Sequence, residues 1–151
     1  MKKATSSLLT ALLLISIFTF SVSAAEQRDI LLSKTVEVLD NGDTVVTELY
    51  QNAVQPRTGT SGHRTATYYN SDGVAIWNVT VYGTFNYSYG VSATATSASA
   101  TVNIYNSNAK FIDKTAYTSG NTATASALIA YNSVTSARSV SVSCDKYGNL
   151  Y

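Results

Sequence analysis

Few groups in this chain could carry covalent chemistry: one histidine, His63, one cysteine, Cys144, and nine carboxylates. Nucleophilic catalysis needs a hydroxyl or thiol held beside a base. His63 sits in the stretch QNAVQPRTGTSGH and Cys144 lies far downstream, so no local pattern joins them. An isolated histidine carries no motif, and His63 reads as a solvated loop residue. A glycosidase would need two acids converging on a cleft. Glu26, Asp29, Glu37, Asp40, Asp43 and Glu48 all precede that stretch, and Asp72 and Asp145 fall at turn signals. That leaves Asp113, beside Lys114, which reads as a surface ion pair or a solvated side chain. The acidic turn DNGD lacks the alternating ligands and closing glutamate of a calcium loop. No metal-ligand spacing or phosphate loop is present either. Neither an enzyme nor a bound metal or cofactor is expected.

What remains is contact chemistry. Eleven tyrosines, against four phenylalanines and one tryptophan, stand in a background of Ser, Thr and Asn. Tyrosine offers a large stiff ring with a hydrated hydroxyl, which suits a contact patch. It is also an ordinary strand former. The best candidate binding face joins Asn78, Tyr82 and Asn86, which alternate along one run.

That run positions them. From Trp77 to Tyr89 the odd positions read Trp, Val, Val, Gly, Phe, Tyr, Tyr and the even ones Asn, Thr, Tyr, Thr, Asn, Ser. Period 2 over such a length excludes an amphipathic helix and predicts one long strand, or two bent at Gly83. Its bulky face, with Trp77 between two sheets, is expected inward and its polar face outward. Upstream, KTVEVLDNGDTVVTELY reads as a hairpin whose Asn41-Gly42 tolerates positive φ at both turn positions. Downstream, Val91–Tyr105 alternates with tiny residues and slips phase near Thr96 and Ser97, as a bulge or turn would make it. Further strands are expected over Lys110–Thr118, Thr122–Tyr131 and Ala137–Asp145, with Val140, Val142 and Cys144 on one buried face.

The tripeptide YNS closes strand candidates at Tyr69–Ser71, Tyr105–Ser107 and Tyr131–Ser133. Its Asn and Ser oxygens can bond nearby amides and start turns, so it reads as strand punctuation. Tyr105 is out of phase with Val102 and Ile104 whereas Tyr131 is in phase with Ile129, so the copies are not expected to build one surface.

The N-terminus has Lys2 and Lys3, an apolar run from Leu8 to Phe20, then Val22, Ser23 and Ala24. That order predicts a signal peptide over 1–24, cleaved after Ala24. Secretion follows, with no membrane anchor expected. Without residues 1–24, eight basic side chains face nine acidic ones, leaving no electrostatic footprint for nucleic acid. One cysteine makes no internal disulfide.

The stretches EVLDNGDTVVTEL, TATYYNSDGVAIWNVTVYGTFNY, SGNTATASA and SVSVSCDKYGNL resemble, in that order, an uncharacterised family of small secreted proteins of Gram-positive bacteria (Firmicutes). The resemblance implies export and a β-sandwich, and it contributes no catalytic residues. It also removes meaning from the glycosylation sequons at Asn78 and Asn86. The expected architecture is all-β: an immunoglobulin-like antiparallel β-sandwich over 64–151, preceded by a β-hairpin region (25–50), a linker (51–63) and the cleaved signal helix. The expected function is contact with a cell-wall polymer, a glycan or a protein. The rival is an exported bacteriocin-like or toxin-like antagonist.

Overall fold

A computed structural model describes residues 28–55 and 59–151. The signal helix, its cleavage point and Pro56 lie outside the described residues. Eight strands follow one another: β1 (Ile30–Val38), β2 (Thr44–Gln51), β3 (Gly59–Tyr69), β4 (Ala75–Ser88), β5 (Ser92–Ile104), β6 (Ala109–Ser119), β7 (Thr122–Tyr131) and β8 (Val134–Ser143). They form two antiparallel sheets, β1-β2-β3-β4-β5 and β6-β7-β8, consistent with a β-sandwich. Strand order is sequential in both sheets, so each is a meander. Immunoglobulin-type sandwiches are instead threaded by Greek-key connections. No described helix is long and apolar enough to cross a membrane.

The linker expected over 51–63 is shorter than that, because Gly59–His63 forms the first half of β3. Its composition hid it. Thr60, Ser61 and Gly62 are buried, yet none is apolar in the alternating sense that marks a strand. Gly62 pairs with Gly83 across β3 and β4, and a Cβ on Gly62 would meet the Tyr50 carbonyl and lie 2.5 Å from Leu150 Cδ1. A Cβ on Gly83 would sit 2.7 Å from the Phe85 ring and 2.9 Å from Val142. The glycine pair is therefore a packing feature, and β4 runs unbroken through Gly83. Because β2 pairs with β3 along its whole length, the leading hairpin belongs to the main sheet.

Turn chemistry repeats. Leu39–Asp43, Asn70–Val74 and Asp145–Asn149 each close with the first N–H bonded to the last carbonyl, at 2.8, 3.0 and 2.9 Å. Each has glycine fourth, at φ 84°, 77° and 88°. This is the three-residue hairpin loop, a type I turn followed by one left-handed residue. Asn41 consequently does not adopt the positive φ expected of it. Asn70 Oδ1 accepts from the Asp72 and Val74 amides, and Asp145 Oδ1 from those of Tyr147 and Asn149. Asn132 and Ser133, at φ 49° and 66°, make the tighter two-residue β7–β8 turn without glycine.

The core lies between the sheets. Trp77, Val79, Val81 and Phe85 of β4 face Ala123, Ala125 and Ile129 of β7 and Val140 and Val142 of β8, all buried. Each fully buried Val, Ile or Phe side chain contributes about 1.5–3 kcal/mol relative to exposure. Cys144 is fully buried, and burial pushes its thiol pKa up, as suits an inert packing residue. The phase slip in β5 is a bulge: Thr84 pairs with Ser97 and Phe85 with Ala95, leaving Thr96 extra. The edge strands differ from this centre, since every residue of β1 is exposed and so is every residue of β6 after Ala109.

Candidate functional site

Register places Asn78, Tyr82 and Asn86 on the outer face of the five-stranded sheet, beside Asn103, Ser99 and Thr94 of β5. Their roles separate there. Asn78 is only 8% exposed: its amide donates to the Tyr105 hydroxyl at 2.8 Å and its Oδ1 accepts from Asn103 N (3.2 Å) and Nδ2 (3.0 Å). Thr80 is buried as well, its hydroxyl 2.8 Å from that of Thr65. These polar groups saturate one another, so the lower half of the polar face is structural. Tyr82, 41% exposed, and the exposed Asn86 remain open to a partner.

Tyr82 has neighbours that alternation alone did not reveal. The outer-face row across β2, β3 and β4 is Tyr50, His63, Tyr82. Tyr50 and His63 stack with centroids 4.9 Å apart and planes within 15°, and His63 and Tyr82 lie 5.3 Å apart at 35°. Ring spacings close to the strand spacing, with planes 15° and 35° apart, mean that the rings stand up from the sheet beside one another. They make a ridge. His63 is thus part of a strand, half-buried, and not the solvated loop residue expected of it. Its Nδ1 lies 3.4 Å from Asn52 Oδ1 and 3.7 Å from Asp29 Oδ2. Burial holds the imidazole below its ordinary pKa, and the Asp29 charge works in the opposite sense. Beside the ridge, Lys34 and Glu48 pair at 2.8 Å, and Glu48 accepts from the Tyr50 hydroxyl at 3.3 Å.

On the other side of Tyr82 the sheet drops. The outer residues of β5 are Thr94, Ser97, Ser99, Thr101 and Asn103, all exposed. Nothing bulky opposes Tyr82 there, because its register partner is Ser99. The side chains of Thr94, Ser97, Ser99 and Thr101 have no hydrogen-bond partner among the described residues. Wall and shelf together make a strip with no charged side chain of its own, bordered at Ala100 by the Lys114 ammonium, that a linear polymer could lie along, with a ring face, unpaired hydroxyls and the terminal amide of Asn86. At about 3.3 Å per residue the shelf runs for roughly 28 Å.

The three YNS copies share one end of the sandwich, which side-chain phase does not report. Antiparallel strands alternate direction, and β3, β5 and β7 all run toward that end. Between one of these turns, the β7–β8 turn at Tyr131 and Asn132, and the β1–β2 loop lies a cleft of about 370 Å³, opening between the sheets and lined also by Tyr68 and Trp77. Asp113 of β6 is elsewhere, its Oδ1 accepting from the Lys114 amide at 2.8 Å, while Lys114 Nζ donates to the Ala100 carbonyl. His63, Asp113 and Cys144 therefore belong to three separate regions: the first sheet's outer face, the second sheet's edge strand and the buried tail after β8. Neither a protein-family model, nor a curated protein, nor a solved structure matches this chain.

Proposed function

We propose that the chain is a secreted, non-enzymatic β-sandwich that acts by contact, binding a neutral glycan or wall polymer along the outer face of its five-stranded sheet. The observation that carries this reading is the step from the Tyr50–His63–Tyr82 ridge down to the unpaired hydroxyls of β5. A sugar presents a C–H face and a rim of hydroxyls, which match a ring wall and a hydroxyl floor. Because the ridge is pre-stacked, little side-chain freedom is lost on binding. Export rests on the N-terminal leader pattern and on the likeness to small secreted Gram-positive proteins. The immunoglobulin likeness is one of layering and of a buried tryptophan, not of strand order.

The test is retention of the chain beginning at Ala25 on isolated Gram-positive cell walls and on glycan arrays. Retention is expected, with a loss of about tenfold in Tyr82→Ala, a typical cost for a tyrosine anchor. Absence of retention on every surface, or equal retention of the variant, would count against the proposal.

A further inference from the structure

We infer that the cleft at the turn end is a second binding site, built to hold the alkylammonium group of a small organic cation. Three rings from both sheets surround it. Tyr68 of β3 and Trp77 of β4 stack with centroids 5.9 Å apart and planes within 10°, and Tyr131 of β7 meets Tyr68 edge-on at 6.3 Å and 69°. An aromatic face carries negative electrostatic potential and attracts a cation, best from tryptophan and more strongly where water is excluded.

The charge of the lining points the same way. Asp40 and Asp43 both contribute to the cleft, and its lining contains no lysine, arginine or histidine. Asp43 is 92% buried, the complement of its 8% exposure. Its carboxylate accepts from the Asn41 amide at 2.7 Å and from the Tyr68 hydroxyl, both neutral donors. Among the described residues no cation pairs with it. A buried carboxylate without a positive partner is unfavourable unless something supplies the charge. The same Tyr68 hydroxyl bond sets Asp43 at the rim of the Tyr68 ring, so a cation drawn to that ring also has the carboxylate nearby.

An inorganic ion fits less well. Rings and the apolar side chains of Leu39 and Val134 cannot ligate a metal, and no group of three metal-ligating side chains occurs among the described residues. A cation with a hydrocarbon coat satisfies the rings and the carboxylates together. The volume admits a trimethylammonium group with a short tail.

The chain contains a single tryptophan, Trp77, which borders the cleft with the 3% of its surface that is exposed and so reports on it. Titration with choline chloride, followed by Trp77 fluorescence, should give a saturable change. The neutral isostere 3,3-dimethylbutan-1-ol should bind at least about tenfold more weakly, since it has the same shape without the charge. Asp43→Asn should weaken choline about tenfold. Asp40→Asn, which leaves the Asp43 hydrogen bonds in place, should weaken it severalfold and guards against misfolding of the first variant. Equal binding of the isostere, choline binding unaffected by both substitutions, or a response to glucose without one to choline would each overturn the assignment. So would no saturable response to choline at all.

Discussion

The two outward faces of the sandwich use similar residues to opposite ends. On the three-stranded sheet the rows Ser119–Thr122–Ser143, Tyr117–Thr124–Ser141 and Thr115–Ser126–Ser139 run across β6, β7 and β8, every position bearing a hydroxyl. The β7 and β8 hydroxyls close on each other at 2.7, 2.8 and 2.6 Å. On the five-stranded sheet the corresponding Ser and Thr residues of β5 have no such partners, and a ridge of rings rises beside them. Paired hydroxyls have their bonding capacity met within the protein; unpaired ones exchange water for a ligand. Residue type alone does not separate a self-satisfied face from a receptive one. What stands opposite each hydroxyl does.

The sharpest way to break this contrast is to unpair a satisfied group. Asn78→Ala removes one donor and the acceptor for two Asn103 groups, three hydrogen bonds in all, leaving the exposed Asn103 amide and Tyr105 hydroxyl to water. A loss of about 2–3 kcal/mol is expected, read from urea unfolding. Ser141→Ala on the other sheet removes a single hydroxyl pair and should cost about 1 kcal/mol. Equal effects would mean that the Asn78 network is not the bracing it is taken to be.

A pH series sharpens the comparison next, because His63 stands on one outward face and the chain has no other histidine. Burial lowers its pKa in the fold, so the unfolded chain binds the proton first as pH falls. Stability is then full above the ordinary value of about 6.5 and declines from there down to the lower folded pKa. His63→Gln should flatten that slope in unfolding midpoints measured across the window. The smallest effect belongs to Ser139→Ala, on a hydroxyl pair at the solvent-exposed part of the second sheet, where unfolding should shift by less than about 0.5 kcal/mol.

Much of the fold was legible because alternation is a local signal. The bulge near Thr96, the buried phase of Trp77 and Val79, and the packing of Val140, Val142 and Cys144 all follow from period 2 and side-chain size. The start of β3 was not legible, since Gly62 is buried for lack of room and Thr60 and Ser61 accept from Gln51 and Asn52, none of them buried for being apolar. Of the candidate site, Tyr82 and Asn86 emerge at the surface, whereas Asn78 is sequestered by Tyr105 and Asn103, far away in sequence. Tyr50 and His63 join Tyr82 only through register, and no spacing within one strand encodes which residues of three strands share a row. The convergence of the YNS turns at one end follows from strand direction, which side-chain phase does not report.

The central claim of the proposed function is that a polymer meets the outer face of the five-stranded sheet and not the outer face of the three-stranded one. Amide chemical shifts of the labelled protein, recorded during titration with soluble wall-polymer fragments, test it most directly. Perturbations confined to Tyr50, His63, Tyr82 and the outer residues of β5 are predicted. Shifts centred on Ser126, Ser139 and Ser141, or spread evenly over both sheets, would contradict it.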